Sequence, residues 1–188
     1  MKAAPHGSRK NAPVETAEKS KAGRAGSSEA LLAEIRKSLA DGWLPSLYRE
    51  TILPRRTRAH EVYPAARGAR VEVQHTLLGV ELKVGRRRML CPDLATARYL
   101  AVFARAGCAR VAVPYDITQI SHLADKLESA WQRMLLLVDH LTEGRTSAFR
   151  SRVRATIIGE VRREIEEAGA GSAVPQFNQN TKQRPRRA

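Results

Sequence analysis

The longest periodic pattern of apolar residues in the chain runs from Ile120 to Leu141, in steps of three and four positions. That spacing predicts a long amphipathic helix, and Gly144 is placed where such a helix ends. A second helical pattern follows Thr146, with an apolar residue at every fourth position from Phe149 to Ile165. Because the connection between the two patterns is short, they predict an antiparallel helical hairpin at the end of the folded region.

Ahead of this hairpin, the apolar pattern changes from a helical to an alternating period. Residues 71–76 and 80–84 alternate apolar with polar side chains, and residues 88–91 form a third short run. Such runs, separated by turn residues, predict antiparallel strands. The short apolar run 110–113 adds a buried strand, so the pattern predicts three or four strands in total.

Three further helices complete the prediction. One begins after Ser28, a short one opens at 43–48 and is stopped by Pro54, and the third is capped by Asp93 and ends at Gly107. Residues 55–70 are basic and lack any period, which predicts irregular chain. Together these patterns indicate one α+β domain over residues 29–168, with a small, mostly antiparallel sheet of three to four strands, packed helices and the C-terminal helical hairpin.

The two ends of the chain differ from this core in composition. Residues 1–28 and 169–188 are polar and aperiodic, which is typical of disordered segments. The chain carries a net charge of +14, from 33 basic and 19 acidic residues. The first end holds six basic and two acidic residues, and the second holds four basic and none acidic. The sequence therefore predicts disordered basic tails that carry more than half of the excess charge.

Composition also limits where the protein works. The longest uninterrupted apolar run, Tyr99 to Ala104, is six residues long, whereas a membrane helix needs about 20. Residues 1–28 contain no apolar segment of the kind found in secretory signals. Cys91 and Cys108 are too few for a disulfide framework and show no CxxC spacing, which favours a reducing compartment. We therefore expect a cytoplasmic protein, with association with the nucleoid as one form of that location.

Basic residues occur in clusters, and they are the first candidates for function. Arginine outnumbers lysine by 25 to 8, and its planar guanidinium donates two parallel hydrogen bonds to one phosphate. Clusters on turns, combined with basic tails, are typical of proteins that bind nucleic acid through its phosphates. The alternative is an ordinary solvated surface in an Arg-rich protein. The residues predicted to contact nucleic acid are Arg55, Arg56, Arg58, Arg86, Arg87, Arg88, Arg150, Arg154, Lys182, Arg184, Arg186 and Arg187.

The predicted strands contain no aromatic residue on which a base could stack. Single-strand binders commonly present such aromatics on a sheet face. No helix-turn-helix, RRM, KH, zinc-finger or zipper signature is present either. The sequence thus favours a non-catalytic protein that contacts the phosphate backbone of DNA or RNA without reading bases, and that needs no cofactor and no metal.

Two other functions compete with nucleic-acid binding. The leucine-rich stripe at 120–141 is wide enough to serve as the interface of a homodimer or of a protein partner. In that interpretation the protein is an interaction module, and its positive charge is incidental or attracts an acidic partner. The same stripe fits an internal core equally well, so the sequence leaves the oligomeric state open.

The second alternative is enzymatic. Glu81 and Lys83 lie two apart on a predicted strand, so their side chains share one side. A carboxylate there could hold a divalent metal beside an ammonium group that acts on the attacking water. In this arrangement the pair resembles half the motif of the PD-(D/E)XK nucleases, whose metal site is completed by an upstream acid. Glu72 is the nearest acid upstream on a strand, and the aspartate of that motif has no counterpart here.

Asp116 is a third candidate. It follows the predicted strand 110–113, and the carboxyl ends of strands are where open α/β sheets bind ligands. An acid at that position also caps the helix that follows, and Thr118 is placed to share this role. We favour the capping role.

Overall fold

The computed structural model of the protein describes residues 29–66 and 68–171. Its elements follow in the order α1 (29–39), a 3-10 turn (Ala40–Gly42), α2 (Leu44–Leu47), a π turn (Tyr48–Ile52), β1 (Thr57–Glu61), β2 (Val71–Thr76), β3 (Gly79–Val84), β4 (Arg87–Cys91), α3 (Leu94–Ala106), β5 (Arg110–Pro114), α4 (Ile117–Leu141) and α5 (Ser147–Ala168). The predicted α+β class and the C-terminal helical hairpin are confirmed. The predicted tail at 1–28 lies outside the described residues, and so do residues 172–188 of the predicted tail at 169–188.

Strands β2, β3 and β4 form an antiparallel sheet in sequence order, as the alternating pattern predicts. Val73, Leu82 and Met89 share one cross-strand row, on the face that packs against α3. The neighbouring row pairs Glu72 with Lys83 and Lys83 with Arg88, on the opposite face. The sheet is therefore apolar inside and charged outside, which is the usual solution for a sheet covered on one side.

The remaining strands form a second sheet, which the sequence did not predict. Strand β1 pairs antiparallel with β5, from Thr57 opposite Pro114 to Glu61 opposite Arg110. The prediction of irregular chain over 55–70 is therefore wrong at 57–61. The Thr-Arg-Ala-His-Glu sequence of β1 has no apolar alternation, and it becomes a strand because β5 supplies its hydrogen-bond partners.

Helix α3 lies at the centre of the molecule and contacts both the three-stranded sheet and α4. All residues from Tyr99 to Ala104 are fully buried, so the helix is covered on every side rather than along one stripe. Asp93 caps its start by accepting a hydrogen bond from the Thr96 amide at 2.7 Å, as predicted. At its end, Gly107 adopts a left-handed conformation with φ 81°, which closes the helix.

The free edge of β5 is satisfied by two buried tyrosines. The amide of Ala112 donates to the Tyr48 hydroxyl at 2.8 Å, and its carbonyl accepts from the Tyr99 hydroxyl at 2.6 Å. The Tyr48 hydroxyl also donates to the carbonyl of Gly169 at 2.7 Å, beyond the end of α5. These side chains replace the neighbouring strand that β5 lacks on this side, because a buried backbone group without a partner is costly.

The buried hydroxyl of Tyr48 and the buried thiol of Cys108 predict a loss of stability at high pH. Burial raises the pKa of Tyr48 from 10.0 to about 12 and that of Cys108 from 9.0 to about 12. Their stabilising contribution is complete below the unfolded pKa values and is lost as pH rises toward 12. Each unit of difference is worth about 1.4 kcal/mol, so we expect the urea midpoint to fall steadily between pH 9 and pH 11. Replacing Cys108 by alanine should flatten the first part of that decline, and an unchanged midpoint over this range would contradict the expectation.

The leucine-rich stripe of α4 is largely used inside the monomer. Ile120, Leu123, Leu127, Met134 and Val138 are at most 2% exposed, and α4 packs against α3 and α5. The stripe is therefore not available to a partner while the domain is folded. The homodimer and the interaction module stay predictions, but neither can use this surface.

A buried carboxylate joins the N-terminal elements to α5. Glu164, with a side chain 10% exposed, accepts hydrogen bonds from Arg36, Arg49 and the indole of Trp43. Arg36 also pairs with Glu160 at 2.6 Å and stacks over Trp43.

None of the described helices is long and apolar enough to cross a membrane.

Candidate nucleic-acid interface

Along the described part of the chain, a groove of about 730 Å³ lies between α5, the end of α3 and the segment that connects β1 to β2. Its floor consists of small or apolar residues, and its charged lining residues are all arginines. The lining residues are Ala65, Ala66, Gly68, Ala69, Val71, Arg105, Ala106, Gly107, Ser151, Arg154, Ala155, Ile158, Gly159 and Arg162.

The connecting segment is held in place by backbone hydrogen bonds to the end of α3 and to the loop that follows it. The amide of Val62 donates to the carbonyl of Ala109 at 2.8 Å, and the amide of Ala65 donates to that of Ala104 at 3.0 Å. Val62 is buried, which fixes the start of the segment against the core. The groove is therefore a built surface feature, because one wall is tied to the central helix and the other is α5.

The three arginines in the lining differ in how they are held. Arg154 donates to both carboxylate oxygens of Asp139, at 2.6 and 2.5 Å, so its charge is partly compensated and its position fixed. Arg105 and Arg162 form no ion pair or hydrogen bond with any described residue. These two guanidinium groups can therefore bind an anion without first releasing a carboxylate.

The predicted Arg-rich turn lies beside the groove. The amide of Gly85 donates to the carbonyl of Arg70 at 2.9 Å, and Gly85 adjoins the lining residue Ala69. Arg86, in the same turn, is exposed. This arrangement adds two exposed arginines, Arg70 and Arg86, to the rim of the groove.

The other two arginines of that turn point elsewhere. The guanidinium of Arg87 lies 5.2 Å from the ring centre of Tyr63, on the segment whose later residues line the groove. Arg88 belongs to the outer face of the sheet, where its Nη1 lies 3.6 Å from a carboxylate oxygen of Glu81. Alternation along β4 thus separates three consecutive arginines that the sequence grouped together.

The predicted cluster of Arg55, Arg56 and Arg58 lies at the other end of β1. The five residues of β1, about 13 Å long at the usual rise per residue, separate this cluster from the segment that lines the groove. Arg56 stacks on Tyr115 at 5.2 Å, and Arg55 donates to Gln119 on α4. The structure therefore does not bring this cluster together with the groove.

The remaining predicted contacts divide in the same way. Arg154 lines the groove, whereas Arg150 lies one turn earlier on α5, with its Nε 4.0 Å from Asp139. The four predicted contacts in the C-terminal tail lie outside the described residues: Lys182, Arg184, Arg186 and Arg187.

Sequence reasoning missed Arg105, Arg162 and Tyr63. Arg105 is the only basic residue in the last turn of an apolar helix, and Arg162 stands among charged residues of both signs. No spacing in the sequence distinguishes them from solvated arginines, because they meet only through the packing of α3 against α5. Tyr63 was overlooked since it lies outside the predicted strands.

The residues of the predicted nuclease site do share one face of the sheet. Glu72 lies opposite Lys83, with its carboxylate 3.6 Å from the ammonium nitrogen, and Glu81 follows on the same face of β3. Glu81 is 9% exposed and forms an ion pair with Arg88. Each acid therefore stands beside a cation, and the described residues contain no group of three or more His, Cys, Asp or Glu that could hold a metal.

Asp116 caps α4. Its carboxylate accepts from the amide of Thr118 at 3.0 Å and from the hydroxyl of the same residue at 2.6 Å. These hydrogen bonds lower the pKa of Asp116. The predicted capping role is confirmed, and its lone pairs are used by the helix.

Comparisons of this chain with protein-family models, with curated proteins and with solved structures find no match. The candidate site is therefore identified by its geometry and its charges alone.

Proposed function

We propose that this protein binds nucleic acid non-catalytically, and that the groove between α5 and the β1–β2 connection holds the phosphate backbone. The observation that carries the proposal is the charge of the groove: of the described residues that line it, three are arginines and none is acidic. Arg105 and Arg162 are free of carboxylates among the described residues, so binding a phosphate breaks no existing ion pair.

The small floor of the groove supports the same proposal. Ala155 and Gly159 lie one turn apart on α5, and Ala66 and Gly68 face them from the connecting segment. Small side chains let a sugar-phosphate backbone approach the protein closely, while the arginines reach it from the walls. Most protein contacts to nucleic acid are made to phosphate and sugar, which is the kind of contact this lining offers.

The tails add to this interaction in the proposal. Residues 1–28 and 169–188 hold eight of the 14 excess positive charges. Basic segments increase affinity by releasing counterions from the phosphates, without requiring a fixed geometry.

We also propose that the protein acts in the cytoplasm, in contact with the nucleoid where the ligand is DNA. Cys91 and Cys108 are both free and buried, as expected for a reducing compartment. Imaging of a fluorescent fusion tests this location, and an extracytoplasmic signal would contradict it.

The salt dependence of binding tests the function. We expect the full chain to bind short DNA or RNA at about 50 mM salt, and its affinity to fall linearly on a log–log plot as salt rises. If three phosphates occupy Arg105, Arg154 and Arg162, the groove alone should give a negative slope with a magnitude of at least about 2.

A variant of the full chain separates the tail from the groove. Replacing Lys182, Arg184, Arg186 and Arg187 by serine should make the slope shallower but leave salt-dependent binding in place. Absence of binding to both DNA and RNA at low salt would refute the proposed function. Complete loss of binding in the serine variant would assign the activity to the tail rather than to the groove.

A further inference from the structure

Tyr63 is an exposed aromatic residue that lies close to the groove. It follows the anchored residue Val62 and precedes the lining residue Ala65 by two positions, so its Cα lies within about 8 Å of the floor. Tyr63 is 39% exposed, and Arg87 stacks on its ring at 5.2 Å. An aromatic ring and a guanidinium, both planar and exposed, thus stand at the edge of the candidate backbone site.

We infer that Tyr63 and Arg87 form a stacking platform for an unpaired base, and that the groove binds single-stranded nucleic acid. The inference rests on the proposed function and names the class of its ligand. A backbone lying in the groove places its next base beside Tyr63. Only an unpaired base presents a free face there, because the bases of a duplex are stacked on one another.

The dimensions of the groove agree with a single strand. Its volume of about 730 Å³ is large enough for a short stretch of one sugar-phosphate backbone. The described residues that line the groove include no aromatic, so the bases have their stacking partner at the rim and the phosphates have theirs inside. Sequence preference is expected to be weak, since every base has a face that can stack.

The test compares three probes of equal length: an oligothymidylate of about 12 nucleotides, the same strand without bases, and a duplex. Fluorescence anisotropy of the full chain at low salt gives the affinity for each. Tyr63→Ala should weaken binding of the oligothymidylate about 5- to 150-fold, the range that stacking on one aromatic supplies. Binding of the strand without bases and of the duplex should not change, and Tyr63→Phe should preserve all three affinities.

Tyr115 provides a matched control. It is 42% exposed and carries a stacked arginine, Arg56, at the same distance of 5.2 Å, but it lies at the other end of β1. Tyr115→Ala should leave the affinity for all three probes unchanged. Tyr63→Leu, which keeps apolar bulk without an aromatic face, should behave as Tyr63→Ala does and covers the case in which the alanine variant does not fold.

The outcomes separate the two proposals. An unchanged affinity of Tyr63→Ala for the oligothymidylate, or an equal loss for all three probes, would overturn the stacking platform. The proposed function survives that result if the wild type still binds in a salt-dependent way. Failure of the wild type to bind any probe would overturn both.

Discussion

Replacing Arg105 and Arg162 together by alanine is expected to weaken nucleic-acid binding at 0.1 M salt, by about 25-fold for a single strand and about 60-fold for a duplex. The reason is that each arginine that neutralises one phosphate contributes about 0.7 to 0.9 to the salt slope. The log–log slope should become shallower by about 1.4 to 1.8 for the same reason. Anisotropy titrations between 50 and 300 mM salt measure both quantities.

A second double variant controls for net charge. Arg98 and Arg163 are held by acids outside the groove: Arg98 by Asp125 and Glu128, and Arg163 by Glu160 and Glu167. Replacing this pair by alanine also removes two positive charges. One of the two residues, Arg163, is the immediate neighbour of Arg162. Its affinity should stay within about threefold of the wild type, because long-range charge is screened over roughly 10 Å at this salt. Equal losses in the two double variants would show that net charge, rather than the groove, accounts for binding.

Glu164→Ala is expected to lower the free energy of unfolding by about 3 kcal/mol. The substitution removes the acceptor shared by Arg36, Arg49 and Trp43, and it leaves the indole N–H buried without a partner. The two arginines are 38% and 48% exposed, so they can turn toward water, which keeps the loss at the lower end for a buried carboxylate. Urea denaturation with an unchanged m-value measures the effect.

Glu167 gives the comparison for this prediction. It lies three residues further along α5, pairs with Arg163 at 2.6 Å and is 59% exposed. Glu167→Ala should cost less than about 1 kcal/mol, as is usual for a surface ion pair. Glu164→Gln keeps the shape but removes the charge, so it should fall between the two. A loss in Glu164→Ala no larger than that in Glu167→Ala would show that Glu164 does not join the N-terminal elements to α5.

Local pattern was sufficient where one element defines its own environment. The alternation in 71–76 and 80–84 determines β2 and β3, because one side of each strand faces the core. The caps at Asp93 and Asp116 were predictable since a cap bonds to amides two or three residues away. In such cases the relevant partners are neighbours in sequence.

Where the partner is distant, the sequence contained no usable signal. Strand β1 exists because β5, about 50 residues later, pairs with it. The apolar run at Tyr99–Ala104 marks a buried segment, but its hydroxyl contact to Ala112 depends on the packing of α3. The stripe 120–141 fitted a core and an interface equally well, and only the position of α3 shows that it is core.

The sequence by itself determined the α+β class, the helical hairpin and the excess of positive charge. Tertiary structure alone decided which of those charges act together. It left Arg154 in the groove, placed Arg105 and Arg162 beside it, turned Arg88 to the far face of the sheet and separated Arg55 by the length of β1. The physical reason is that secondary structure follows from periods within one segment, whereas a binding surface depends on side chains that distant segments bring to one place.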